Sequence, residues 1–524
     1  MKIAILSTYG GGGGAARAML RLAKGLSARG HVVDIIQSTQ GHVQPNSIVV
    51  EPDNATPDQN DDCAQFIEGH YLPSRRTQLS NTFFSFQPSG YDLSQLIREK
   101  DYDAINVHWS NQLLNPETAA PLIALGKPVV FTLHDMSHFT GGCHYSAGCD
   151  GFERDCAPCP QVSDTLAMAP ALLAVRRRTY RRANVAAVAP SHWLADCASR
   201  SGVFEPETIQ RISNAIETDL FRPLDKAEAR QALGLDPSLR YILFGVHYTQ
   251  ETRKGFGLLM EAIERLIASS SPGEGENPDG LGLLLFGEAT PELESLGIPV
   301  TSFGFVGDDA QLATIYSAAD LLILPSLEDN QPNVMMEAMA AGVPVVAFAV
   351  GGMTDMIQDG INGRLVAPGD VTALADAVLD LVKAPEKAAG MGQAARRDIL
   401  TEATLDGQAA RYEGLFEKLL GTRPPAIGRA QDEHDAPEPV ERAASASIRL
   451  PQQVASRVAT AEVHAELDLL LAAQAAEEAR RLAEIAEAER QALKAAARAR
   501  SPLGRLKKLR RKISHRLWPV DGQA

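Results

Sequence analysis

Nowhere in its 524 residues does the chain hold about 18 uninterrupted apolar residues, so no segment reads as a membrane-spanning helix. It also lacks the apolar core and cleavage site of a secretory leader. Met1 to Thr8 is a short charged-then-apolar strand pattern that runs straight into glycines. An excess of positive charge is missing too: the formal net charge is -15, which argues against general nucleic-acid binding. These absences imply a protein made and kept in the cytosol, where structural disulfides are rare. Cysteine is scarce, six in all. What the chain does have is length, enough to imply two or three cores.

Two alternating series carry that length. The first runs from a strand (Lys2 to Thr8) through a glycine loop (Gly10 to Gly14) into a helix (Ala15 to Arg29) that stops at Gly30. A strand (His31 to Gln37) follows, completing a β-α-β start. Strands at Ala104 to His108, Pro128 to His134 and Val185 to Ala189 continue the series, with 40–90 read as an irregular polar excursion. The second series begins at Tyr241 to Val246. It passes through a helix from Gly257, a strand at Leu281 to Phe286, a helix from Asp309, and strands at Leu321 to Leu324 and Val343 to Phe348. The fold class expected is therefore α/β, two doubly wound Rossmann-like domains facing a cleft, with a C-terminal helical extension.

Between the last two strands lies the most informative stretch, Pro325 to Ala347. A polar loop there leads into a helix beginning near Asn333 or Val334 and ending at Gly342, with Asp329 before it and Glu337 inside it. The C-terminal edge of a parallel sheet facing a helix N-terminus is where anionic ligands bind, because free N–H groups and the helix dipole point there. A carboxylate beside such a site accepts hydrogen bonds from a sugar or ribose diol.

This stretch resembles the donor-sugar motif of retaining glycosyltransferases of family 4, which have the two-domain GT-B fold. Asp329 and Glu337 take the places of that family's paired acids, and the helix ends in Ala341-Gly342-Val343-Pro344-Val345-Val346. Asn330 to Val334 replace the more usual Gly-Phe-Gly-Leu-Pro. Ile212 to Pro223 is similar to the family's interdomain segment, with Ala215 for a Gly. Gly10 to Gly14 followed by Ala15-Ala16-Arg17 is a turn without side chains that lets backbone approach a ligand. The resemblance puts Gly12, Gly13 and Gly14 beside the reaction centre on the acceptor side. It implies that Lys254, with Arg253, contacts the donor diphosphate, and that Glu337 takes the ribose diol. Asp329, Asn330 and Asn333 would meet the sugar, and His134 would lie beside it as a neutral imidazole. His108 ends the neighbouring strand and is either acceptor-lining or structural. His134, Asp329 and Glu337 are thus the catalytic candidates, with no metal required for catalysis.

Cys143, Cys149, Cys156 and Cys159 stand close together, the last two as C-x-x-C. Four thiolates, or three with His144, suit a structural zinc ion, while two disulfides or free thiols are the alternatives. The domains expected are 1–218 on the acceptor side with the Cys-rich insert at 140–161, and 219–420 for the nucleotide-sugar donor. A flexible linker (421–460), an Ala/Glu/Arg-rich helix (461–500) and a basic amphipathic tail (501–524) follow. The helix is either a coiled-coil strand or a solvated spacer. In the tail, Leu506, Leu509, Ile513 and Leu517 share a helical face amid seven Lys and Arg residues. That pattern fits either an anionic membrane surface or the acidic body of the protein.

The resemblance implies transfer of a sugar from a nucleotide-sugar donor to a glycan acceptor. A lipid-linked acceptor in bacterial exopolysaccharide or lipopolysaccharide synthesis is expected, at the inner face of the plasma membrane. A nucleotide-sugar epimerase and a catalytically silent membrane-associated scaffold are the rival readings.

Overall fold

The computed structural model describes residues 1–38, 43–45, 47–53, 61–80, 82–246, 251–268, 280–287, 291–294, 296–421, 446–500 and 507. The chain divides into two compact units, Met1–Ala459 and Thr460–Ala524.

The first unit holds two parallel sheets. In the first lobe the strand order is Ala446–Leu450, Ile48–Pro52, Val32–Ser38, Lys2–Ser7, Ala104–Val107, Val129–Thr132, Val185–Ala189 and Ile209–Arg211. In the second lobe it is Val300–Ser302, Leu281–Gly287, Arg240–Val246, Leu321–Leu324, Val345–Phe348 and Gly363–Val366. Helices cover both faces, so central strands such as Leu321–Leu324 and Val185–Ala189 are buried at every residue.

Each lobe winds outward in both directions from its first strand. In the first lobe Lys2–Ser7 pairs with Val32–Ser38 on one side and Ala104–Val107 on the other. In the second, Arg240–Val246 lies between Leu281–Gly287 and Leu321–Leu324. Loops leaving neighbouring strands at such a switch point part in opposite directions and leave a crevice. The glycine loop and His108 follow the first pair of strand ends; Lys254 and Asp329 follow the second.

Three expectations change. The excursion at 40–90 contributes the strand Ile48–Pro52, the short strand Ser89–Tyr91 and a buried set that includes Phe66, Tyr71, Phe84 and Phe86. Its apolar residues are spaced by turns, which hides their shared core from a periodicity reading. The expected linker at 421–460 is structured from Ala446. Ala446–Leu450 extends the first sheet beside Ile48–Pro52, and Gln452–Val454 pairs antiparallel with Ser89–Tyr91. Arg457 then anchors the segment through Glu117 and the carbonyls of Phe86 and Gln87. Finally, the helix Leu405–Gly421, which follows the second lobe in sequence, packs on the first. Ala409, Tyr412 and Phe416 join Ile3, Ile5, Met19 and Val130 in one core.

Among its described residues the second unit holds one long helix, Ala461–Arg500, with Leu469, Leu471, Leu482 and Ile485 exposed along it. Except for Lys507, the tail at 501–524 lies outside the described residues. No helix among the described residues is long and apolar enough to cross a membrane.

Candidate active site

The loop after Leu321–Leu324 carries Asp329 to the edge of the second sheet, where it is 5 % exposed. Lys254 Nζ donates to Asp329 Oδ2 at 2.6 Å, and Arg253 stands 3.7 Å from the same oxygen. Burial alone would raise the Asp329 pKa; the two cations outweigh it and hold the carboxyl below its usual range. Both cations come from a tight turn, Thr252–Lys254, closed by Gly255 in the left-handed region. Opposite them, Gly351 packs so closely that a Cβ would lie 1.7 Å from the Asp329 carbonyl oxygen. The Asp329 main chain is therefore clamped as well as its side chain.

Glu337 sits one turn into the helix Asn333–Ala340 and is 1 % exposed. Its Oε2 accepts from Tyr316 at 2.9 Å. Its Oε1 accepts from Arg21 at 3.0 Å and Arg17 at 3.3 Å. Both arginines project from the first lobe's helix Gly14–Ala28, which starts where Gly12 and Gly13 take positive φ of 74° and 82°. Only glycine enters that turn without strain. Arg21 also meets Glu217 at 2.7 Å, Arg17 meets Asp309, and Asn333 Nδ2 donates to the Gly14 carbonyl at 3.0 Å. The carboxylate expected to face a ribose diol is thus held here by interlobe cations.

On the first lobe, His134 and His108 meet ring to ring, Nε2 to Nδ1 at 2.9 Å, and Asn106 Oδ1 fixes the far side of His108 at 2.8 Å. Burial pushes His134 down to about 4 and holds His108 well below its ordinary value, so both rings are neutral near pH 7. Asn330 ties the lobes together here. It donates to the His134 carbonyl at 3.2 Å and accepts from Ser191 Oγ at 2.7 Å. Gln331 does the same at Ser213 and Asn214.

The Cys-rich insert also reaches the second lobe. The Tyr145 ring lies under Arg253 at 4.1 Å, and its hydroxyl approaches Asp329 Oδ1 at 3.4 Å. Glu328 accepts from the backbone N–H groups of Ser146 and Ala147 at 3.1 and 3.0 Å. A cleft of about 620 Å³ opens beside these contacts, bordered by Arg253, Glu328, Trp193 and Gly351. Cys143, Cys149, Cys156 and Cys159 are free thiols that line one small cavity. Among the described residues, no group of three or more His, Cys, Asp or Glu side chains stands arranged to hold a metal ion.

Asp329, Lys254, Arg253, Asn330, Asn333, Glu337, His134, His108 and the Gly12 to Gly14 turn therefore gather along one interlobe seam. Sequence reasoning missed Arg21, Tyr316 and Tyr145. Arg21 lies one turn beyond the glycine motif, on the same helix face as Arg17, and that i, i+4 pair was the available signal.

Two family descriptions match the chain: Glycosyltransferase Family 4 over residues 12–220 and Glycosyl transferases group 1 over residues 240–384. Among curated proteins it is similar to the D-inositol 3-phosphate glycosyltransferases of Segniliparus rotundus and Mycobacterium avium. The first is 33 % identical over 225 residues (40 % of this chain, 48 % of the relative), the second 35 % over 230 residues (42 % and 52 %). The chain spans about half the length of the curated relatives it matches. Among solved structures it is similar to sucrose-phosphate synthase of Thermosynechococcus elongatus. The TM-score is 0.57 at 20 % identity, covering 80 % of this chain and 100 % of that one. Anabaena HepE in complex with UDP-glucose gives a TM-score of 0.55 at 18 % identity, covering 80 % and 100 %. These structural likenesses agree with the fold read above, two parallel-sheet lobes of GT-B type. With its first lobe matched by one description and its second by the other, the chain belongs to the family 4, group 1 glycosyltransferases.

Proposed function

We propose that the chain transfers a sugar from a nucleoside-diphosphate donor to an acceptor hydroxyl, with retention at the anomeric carbon and without a catalytic metal. The observation that carries this reading is the pairing of Lys254 and Arg253 with Asp329 at the second sheet's switch point, one residue from the Asn330 bond to His134. When the bond from the anomeric carbon to the phosphate oxygen breaks, its electron pair stays on the diphosphate. Two fixed cations there stabilise the charge as it develops. The acceptor oxygen forms the new bond on the same face of the sugar and gives its proton to the departing phosphate oxygen.

In this account Asp329 and the Asn330 to Asn333 loop hold the sugar, Glu337 takes the ribose diol, and neutral His134 hydrogen-bonds a sugar hydroxyl. The Gly12 to Gly14 turn and His108 lie on the acceptor side. Asp329 and Glu337 are both buried between the lobes. Donor binding on this reading therefore requires the lobes to part, with the ribose replacing Arg17 and Arg21 on Glu337.

The acceptor on this reading is a glycan, lipid-linked, in bacterial polysaccharide or lipopolysaccharide synthesis. The cation-rich, apolar sequence at 501–524 would hold the enzyme at an anionic membrane surface. A second acceptor class, a small phosphorylated cyclitol, is favoured by the names of the curated relatives.

Thermal stabilisation by a panel of nucleoside diphosphates and their sugars tests the donor site, because a ligand that binds only the folded state raises Tm. Stabilisation by one nucleotide series, weakened in Glu337→Ala, supports the reading. No response to any member overturns it and leaves the scaffold.

A further inference from the structure

We propose that Cys143, Cys149, Cys156 and Cys159 form a tetrathiolate site for a soft divalent cation of the zinc class, and that this site staples the Tyr145 segment onto the donor loop. Three observations carry it. The four thiols border one cavity of about 20 Å³, room for a single water-sized occupant. None of them is in a disulfide.

Second, one of the four sulfurs already accepts a peptide hydrogen bond. Gly151 N–H donates to Cys149 Sγ at 3.2 Å. Peptide hydrogen bonds to ligand sulfurs are the outer support that metal–thiolate sites use. Third, Arg176 is fully buried beside the cluster. It donates to the Thr140 carbonyl and to Gln87, and among the described residues it has no carboxylate ion pair. The ionisable groups around it are Tyr180, Cys156 and Cys143, with a second cation, Arg457, also close. A buried cation of this kind calls for buried negative charge, and four thiolates around one divalent ion leave a net anion.

Binding would release the thiol protons to solvent and form four metal–sulfur bonds. The sulfurs do not stand arranged for this as they are. Each turns on one side-chain torsion, so closure calls first on rotamer changes at residues that already share the cavity.

The consequence lies between the first two ligands. Tyr145, Ser146 and Ala147 fall between Cys143 and Cys149, and they make the contacts to Arg253, Asp329 and Glu328. Pinning both ends of that segment would fix Tyr145 as a positioning residue for the diphosphate cations.

The full chain, purified from zinc-supplemented cells, is assayed for metal by elemental analysis, and refolded with cobalt(II) for its absorption spectrum. About one metal per chain and sulfur-to-cobalt charge-transfer bands are expected. The pair Cys156→Ser with Cys159→Ser should lose the metal and Cys197→Ser should keep it. Metal-free native protein with four reactive thiols, or disulfides among the four, overturns the proposal. If the double variant does not fold, the cobalt spectrum of the wild type still decides. The coupling to the donor loop rests on the function proposed above. Tyr145→Ala should keep the metal while losing nucleotide stabilisation several-fold, and unchanged nucleotide stabilisation in that variant overturns the coupling alone.

Discussion

Arg21 of the first lobe and Glu337 of the second stand 3.0 Å apart, with 3 % and 1 % of their side chains exposed. Two charges so far from water hold together only while both are present. Removing one leaves the other desolvated, at a cost of about 3–5 kcal/mol. Arg21 keeps Glu217 as a second partner, so Glu337→Ala should fall at the lower end of that range. Urea unfolding of the single variants and of Arg21→Ala with Glu337→Ala measures the coupling. Additive losses would mean that the pair does not bridge the lobes.

Lys254→Ala removes the cation closest to Asp329. If it stabilises charge in the transition state, kcat should fall about 10²–10³-fold, with Lys254→Arg recovering part of the loss. A change confined to KM would place Lys254 in ground-state binding instead, read from initial rates over a donor series.

Acid should destabilise the first lobe through its buried neutral histidines. His134 and His138 are both held down to about 4 by burial, and His108 is held well below its ordinary value. Because the folded state keeps these rings neutral while the unfolded chain protonates them near 6.5, stability is full above that pH and falls as pH drops toward 4. Asp329, held low by Lys254 and Arg253, adds a further loss below its ordinary range. Tm measured from pH 7.5 to 4 should decline, less steeply in His108→Asn. A flat profile would mean that the histidines are solvated.

Gly351→Ala places a methyl group against the Asp329 carbonyl in a backbone with φ 51°. The strain should cost about 1–3 kcal/mol and displace Asp329 from Lys254. Calorimetry should find a lower Tm together with weaker nucleotide binding. An unchanged nucleotide affinity would show that this loop does not hold the donor.

Arg457→Ala should cost about 2 kcal/mol, since three charge-assisted hydrogen bonds to Glu117, Phe86 and Gln87 are lost from a site that is largely buried. Protease sensitivity at 422–445 and exchange of the amides in Ala446–Leu450 report whether the strand detaches.

Periodicity and turn residues in the sequence were enough to place both alternating series, the glycine turn before Gly14–Ala28, and Asp329, Glu337, Lys254 and His134 at strand ends or helix starts. Those signals are local: an apolar run, a glycine stop or a carboxylate in a first turn is decided within a few residues by backbone sterics and burial. What only the tertiary structure decided is who meets whom. Arg21 finds Glu337 across 316 positions, and Lys254 finds Asp329 across 75. Ala446–Leu450 adds itself beside Ile48–Pro52. A linker-like composition does not forbid a strand, because an open sheet edge supplies the hydrogen bonds that the segment lacks by itself. Tyr145 likewise became part of the seam only once the insert was laid against Arg253, a contact set by how two cores pack and written in no single stretch of the chain.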